Sequence, residues 1–234
     1  MGTADTIVAL AEAHVRQTLA GDSSGHDWWH IDRVRNNALL IARAEQADLF
    51  VVELSALLHD IADWKFHGGD ETAGPTAARA WLTQHSIDSA IIETVCDIVS
   101  GVSFKGAGVE TAMPTLEGRC VQDGDRLDAI GAVGIARAFA FGGHFGRDMY
   151  DPAIPPEQHH SFAAYKTNRG PTINHFYEKL LLLKDRMQTA TGRKLALERH
   201  QFMEAFLAQF FAECGTAASP AERSIVCETS VTPA

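Results

Sequence analysis

Four residues of this chain have the types and order to do chemistry together: His30, the adjacent pair His59-Asp60, and the distant Asp125. Imidazole nitrogens and carboxylate oxygens can hold one divalent metal ion between them. Neutral His and ionised Asp are both available near pH 7. The chemistry this set suggests is metal-assisted hydrolysis. Taken singly, each residue is an ordinary surface or capping group, since polar side chains are mostly exposed. The set is harder to dismiss. His59-Asp60 interrupts an apolar stripe directly after Ala56-Leu57-Leu58, and charged groups beside such a stripe need partners. Asp63 lies four residues from His59 and three from Asp60, so on a helix it shares their side. There it is placed to touch a water at the ion rather than the ion itself.

The elements that must position these residues read as helices almost throughout, and the expected fold class is all-α. A first helix is expected over Asp5–Ala20, stopped by Gly21. A second covers Asp27–Gln46, with Ile31, Val34, Ala38 and Ile41 at spacings of three and four. A third spans Val51–Asp63 on the stripe Leu54, Leu57, Leu58 and Ile61. Pro75 suits the first turn of a fourth, which ends near His85. A fifth runs from Asp88 to about Val99, and Lys105–Met113 reads as a loop. One long helix is expected over Leu116–Ala140. Phe141–Thr172 holds Gly142-Gly143, Gly146 and a proline-rich stretch, and a loop this long is functional or mobile. Helices over Ile173–Thr189 and Arg193–Glu213 follow. The latter has a core stripe of Phe202, Phe206 and Phe210. The reading is a single domain over 1–214 with a mobile loop at about 142–171, and a disordered tail over 215–234.

Composition bounds the partners. Apolar residues make up 46% of the chain and can supply a sizeable core. With 20 basic against 30 acidic residues, the formal charge is −10. Phosphate backbones are bound through basic surfaces, so no stable nucleic-acid partner is expected. Cys96, Cys120, Cys214 and Cys227 are scattered without a CxxC pair, which indicates neither a zinc ribbon nor a disulfide framework. No secretory signal is visible, and no apolar run approaches the ~20 residues of a membrane span. A soluble cytoplasmic protein is expected, with its oligomeric state open.

The segments His30-Ile31-Asp32-Arg33-Val34, Ala56-Leu57-Leu58-His59-Asp60-Ile61 and Asp123-Gly124-Asp125-Arg126-Leu127-Asp128 resemble the motifs of the HD superfamily of metal-dependent phosphohydrolases. The likeness runs from about His26 to Phe141. Its continuation through His175-Phe176-Tyr177-Glu178-Lys179-Leu180 resembles the small single-domain bacterial branch, some members of which hydrolyse nucleoside triphosphates to monophosphate and pyrophosphate. The resemblance implies an HD-type helical bundle, with His30, His59, Asp60 and Asp125 as metal ligands. A mixed nitrogen and oxygen set suits Mn, Fe, Co, Ni or Zn better than Mg, and manganese is the favoured ion. Some HD phosphodiesterases hold a second metal through further histidines between the doublet and the last Asp. Here only His67 and His85 fall in that interval, so one metal is expected.

The implied reaction is attack of an activated water on phosphorus, with Asp63 orienting the water or taking its proton. An acidic chain that binds a polyphosphate needs a local cationic cradle. Arg33 and Lys65 are the first candidates for it. Arg126 and Lys105 follow, Arg126 having a structural alternative through Asp123 or Asp128. One of Trp28 and Trp29 could stack on a base while the other packs between helices. His26 and His175 are further candidates for substrate contact, whereas His159-His160 is not assigned to the metal. The leading expectation is therefore a nucleotide pyrophosphohydrolase. The alternatives are a phosphomonoesterase or phosphodiesterase on the same site, or a non-catalytic metal- or nucleotide-binding regulator.

Overall fold

The computed structural model of the chain describes residues 3–21, 27–62, 68–106, 108–109, 111–158 and 169–215. Among them are nine α-helices, one 3-10 helix and no strand, so the fold is all-α. The chain forms two compact units. The first draws on Met1–Phe104, Thr111–Asp125 and Gln188–Gly192; the second on Lys105–Glu110, Arg126–Met187 and Arg193–Ala234.

The first unit contains α1 (Thr3–Thr18), α2 (Trp28–Glu45), α3 (Leu49–Leu58), α4 (Ala73–Gln84) and α5 (Ser89–Gly101). It also contains most of α6 (Leu116–Asp128). Three of these helices start on an aspartate. Asp27, Asp48 and Asp88 each accept a hydrogen bond from backbone N–H groups of the first turn, which otherwise have no partner within the helix. The cap at Asp48 starts α3 two residues before the expected Val51. The same helix stops at Leu58, so the His59-Asp60 pair lies just past its last turn rather than inside a longer helix. Buried Ile31, Val34, Ala38 and Ile41 of α2 and Leu54, Leu57 and Leu58 of α3 contribute to the apolar interior. Arg35 ties three helices together: its Nη1 donates to Glu12 of α1 and its Nε to Glu53 of α3, at 2.9 and 2.8 Å.

The second unit contains α7 (Gly131–His144), α8 (Asn174–Glu178), the 3-10 helix Leu180–Arg186 and most of α9 (Ala190–Glu213). The long helix expected over Leu116–Ala140 is broken. Ile130 is extended, and Gly131 takes φ +75°, a region that L side chains avoid. The helix expected over Ile173–Thr189 is also interrupted, at Lys179 (φ −144°, ψ −58°). In the 3-10 helix that follows, Leu180, Leu181 and Leu183 are all buried, a run too continuous for one amphipathic α-helical face. On α9 the buried stripe is Ala196, His200, Met203, Leu207 and Phe211. Phe206 and Phe210 flank it and join Phe139 and Phe176 in an aromatic cluster, whereas Phe202 is exposed.

The segment expected as a loop from about 142 begins later, because α7 continues to His144. Its first half is tied to α8. Thr172 N–H donates to the Asp148 carbonyl (2.8 Å), Asn174 Nδ2 to the Ile154 carbonyl (2.9 Å) and Gln158 Nε2 to the Tyr177 carbonyl (3.2 Å). Residues 159–168, which include His159-His160, lie outside the described residues, as does the tail from 216.

Candidate metal centre

His30 is brought to the site by the start of α2. Asp27 caps that helix, its Oδ1 accepting from the His30 N–H at 3.0 Å, and this fixes the first turn from which the imidazole projects inward. The imidazole is 1% exposed. His59 and Asp60 come from the turn after α3. The His59 Nδ1 lies 2.8 Å from the Ala56 carbonyl. A carbonyl only accepts, so Nδ1 carries the proton and Nε2 keeps its lone pair. That ring-to-backbone bond is a common way of fixing the tautomer of a metal-ligating histidine.

The two Nε2 atoms face each other at 3.3 Å. Asp60 Oδ2 sits 3.3 Å from the His30 Nε2 and 3.7 Å from the His59 Nε2. Asp125, from α6, brings Oδ1 to 3.7 and 3.9 Å of the same two nitrogens, and is the most exposed of the four at 28%. Candidate ligand atoms of His30, His59 and Asp60 all lie within 4.8 Å of one another, the one such group of three or more among the described residues. Ligand atoms bound at about 2.0–2.2 Å and at right or tetrahedral angles stand roughly 2.8–3.6 Å apart. The His30–His59 and His30–Asp60 separations fall within that range and the other three exceed it slightly, so the four groups stand close to the dimensions of a metal site. Its chemistry also fits: two imidazoles and two carboxylates converge, and three of the four groups are buried.

Of the other residues singled out from the sequence, Arg33 is half-buried on α2, three residues after His30. Arg126 is buried, and its Nη1 donates to the Arg186 carbonyl, a link within the second unit. Lys105 and His175 are half-buried, and both belong to the second unit. His26, Asp63 and Lys65 lie outside the described residues. The two tryptophans differ in exposure. Trp28 is buried, with the Arg16 guanidinium 4.1 Å from its ring centre, and Trp29 is 60% exposed.

Sequence reasoning missed the surroundings of Asp125. Asp123 is fully buried, and its carboxylate accepts from Gln188 N–H, Thr189 N–H and the Thr189 hydroxyl. The available signal was the first aspartate of Asp123-Gly124-Asp125, together with the Thr189-Ala190-Thr191-Gly192 helix start far downstream.

Comparison with known proteins agrees with this geometry. The HD domain model matches residues 28–130. YpgQ of Bacillus subtilis is 42% identical over 198 residues, which cover 83% of this chain and 87% of that protein. Its crystal structure in complex with ADP superposes with a TM-score of 0.71, covering 91% of this chain and 97% of that one. A Lactobacillus plantarum crystal structure gives a TM-score of 0.82 at 36% identity, covering 90% and 98%. An HD-superfamily hydrolase from Bacillus thuringiensis gives 0.70 at 39%, covering 92% and 100%. The chain belongs to the HD-domain family of metal-dependent phosphohydrolases.

Proposed function

We propose that this protein hydrolyses nucleoside triphosphates to monophosphate and pyrophosphate. In this reading His30, His59, Asp60 and Asp125 hold one divalent ion, with manganese favoured. The observation that carries the proposal is the convergence of four donor atoms, with His59 Nε2 and His30 Nε2 only 3.3 Å apart. The nucleotide is supported by the relative YpgQ, whose structure was determined with ADP. When bound, such an ion lowers the pKa of a water and polarises a phosphoryl oxygen. The chain's own residues do the positioning. The Ala56 carbonyl holds the His59 proton on Nδ1, and the Asp27 cap holds the α2 terminus beneath His30. Arg33 and Lys65 are the proposed cradle for the polyphosphate.

Asp63 is proposed to orient the attacking water and take its proton. Asp63→Asn keeps the side chain's size but cannot accept that proton. The variant should retain metal and substrate binding, while turnover drops by about 10²–10⁴-fold, the range for lost general-base assistance. Near-normal turnover removes Asp63 from the mechanism, and loss of metal makes it a ligand. The reaction itself is tested by a nucleotide screen with added Mn²⁺ and separate detection of phosphate and pyrophosphate. Pyrophosphate released in step with monophosphate is the expected result. Release of orthophosphate alone contradicts it.

A further inference from the structure

Asp125 differs from the other three residues of the metal centre in where it comes from. His30, His59 and Asp60 are supplied by α2 and the turn after α3, whereas Asp125 is carried in by α6, 65 residues after Asp60 in the chain. Its reach depends on where α6 lies. The three residues before it each fix that helix to a different neighbour. Gln122 Nε2 donates to the Gly101 carbonyl at 3.0 Å, and its Oε1 accepts from Gln188 Nε2. Gly124 lies against α2 so closely that a Cβ there would stand 3.0 Å from the Ala38 Cβ and the Val34 carbonyl oxygen.

Asp123 makes the third connection, and it is a buried carboxylate. Its Oδ2 takes the Thr189 N–H at 2.8 Å and the Thr189 hydroxyl at 2.7 Å, and its Oδ1 takes the Gln188 N–H at 2.9 Å. The Thr189 hydroxyl in turn accepts from the Gly192 N–H at 2.9 Å, capping the first turn of α9. A Cβ at Gly192 would fall 2.4 Å from Asp123 Oδ2, so this turn accommodates the carboxylate only with glycine there. Gln188–Gly192 therefore belongs to the first unit although the chain on both sides of it belongs to the second. It also lies outside the span matched by the HD domain model.

We propose that Asp123 is a positioning residue for the metal centre: clamped by Thr189, it sets α6 so that Asp125 meets the ion. The proposal rests on Asp125 being a metal ligand. A ligand set works only when held to about 0.5 Å, which loosening α6 forfeits.

The test is Mn²⁺ titration into chelator-stripped full-length protein by calorimetry, with the visible spectrum of the Co²⁺-loaded protein as a second readout. Thr189→Val exchanges the hydroxyl for a methyl group, losing its bonds to Asp123 and from the Gly192 N–H while keeping the backbone N–H. It should weaken Mn²⁺ binding about fivefold, the effect of roughly one hydrogen bond, and alter the Co²⁺ bands. Thr189→Ser restores the hydroxyl and should return both readouts to wild type. Asp123→Asn should weaken binding by about tenfold or more. If that variant fails to fold, the threonine pair decides the question. A Thr189→Val protein that melts earlier but keeps wild-type Mn²⁺ affinity and Co²⁺ spectrum overturns the proposal, since a purely structural clamp behaves that way. Asp125→Ala separates the two layers. If it binds Mn²⁺ as tightly as wild type, the ligand assignment fails. If it loses affinity while Thr189→Val does not, only the positioning role fails.

Discussion

His59 and His200 show how differently two buried histidines can be used. His59 gives its Nδ1 proton to a carbonyl and turns Nε2 toward His30 and Asp60. His200, on α9, is buried with its Nδ1 unpartnered and its Nε2 3.3 Å from Glu204 Oε1. Burial is the largest influence on it and holds its pKa below the ordinary 6.5. Lys184 pushes the same way, and Glu204 and Asp185 oppose without prevailing. The sign of the linkage follows. The folded pKa is lower than the unfolded one, so the unfolded chain takes up the proton first as pH falls. The contribution to stability is complete above pH 6.5 and is lost as pH falls from there through the folded value. The melting temperature should therefore fall from pH 7.5 to pH 5, by about one to a few degrees less in His200→Gln than in wild type. Parallel curves would show that His200 does not titrate in this way.

At the scale of elements, the site depends on how helices end and how closely they approach. Gly124 lets α6 lie against α2 so closely that a Cβ would force its neighbours to shift. Gly124→Ala should cost about 1–3 kcal/mol of stability, the range for overpacking a tight contact, measured by denaturant unfolding. A neutral substitution would show that the contact yields freely. Much of this level was legible in the sequence. Apolar spacing placed α2, and the His, His-Asp, Asp order singled out four residues that the fold brings together. The end of α3 at Leu58 was not legible, because the apolar period continues through Ile61 while the backbone leaves the helix. The break at Ile130-Gly131 carried a local signal in Gly131, a weak helix former, which the apolar spacing on both sides masked. The Asp123 clamp joins residues 66 apart, a separation no local pattern carries.

For the molecule as a whole, the apolar interior rather than an ion is expected to account for the fold. Ile31 and Val34 of α2 and Leu54 and Leu57 of α3 are all fully buried. Stripping metal with a chelator should leave the far-ultraviolet circular dichroism at room temperature unchanged while abolishing hydrolysis. Loss of helical signal would make the ion a structural element. The thiols take no part in this account. Cys96, Cys120 and Cys214 are free, and burial, with help from Asp123, Glu45 and Glu117, pushes the Cys120 thiol up to about 12. None of the described helices is long and apolar enough to cross a membrane.

The most direct test of the central claim is anomalous diffraction from a crystal of this protein soaked with Mn²⁺. The account predicts one anomalous peak per chain, about 2.0–2.3 Å from His30 Nε2, His59 Nε2, Asp60 Oδ2 and Asp125 Oδ1. Two peaks separated by a few ångströms, or a single peak that excludes any of these four atoms, would contradict it.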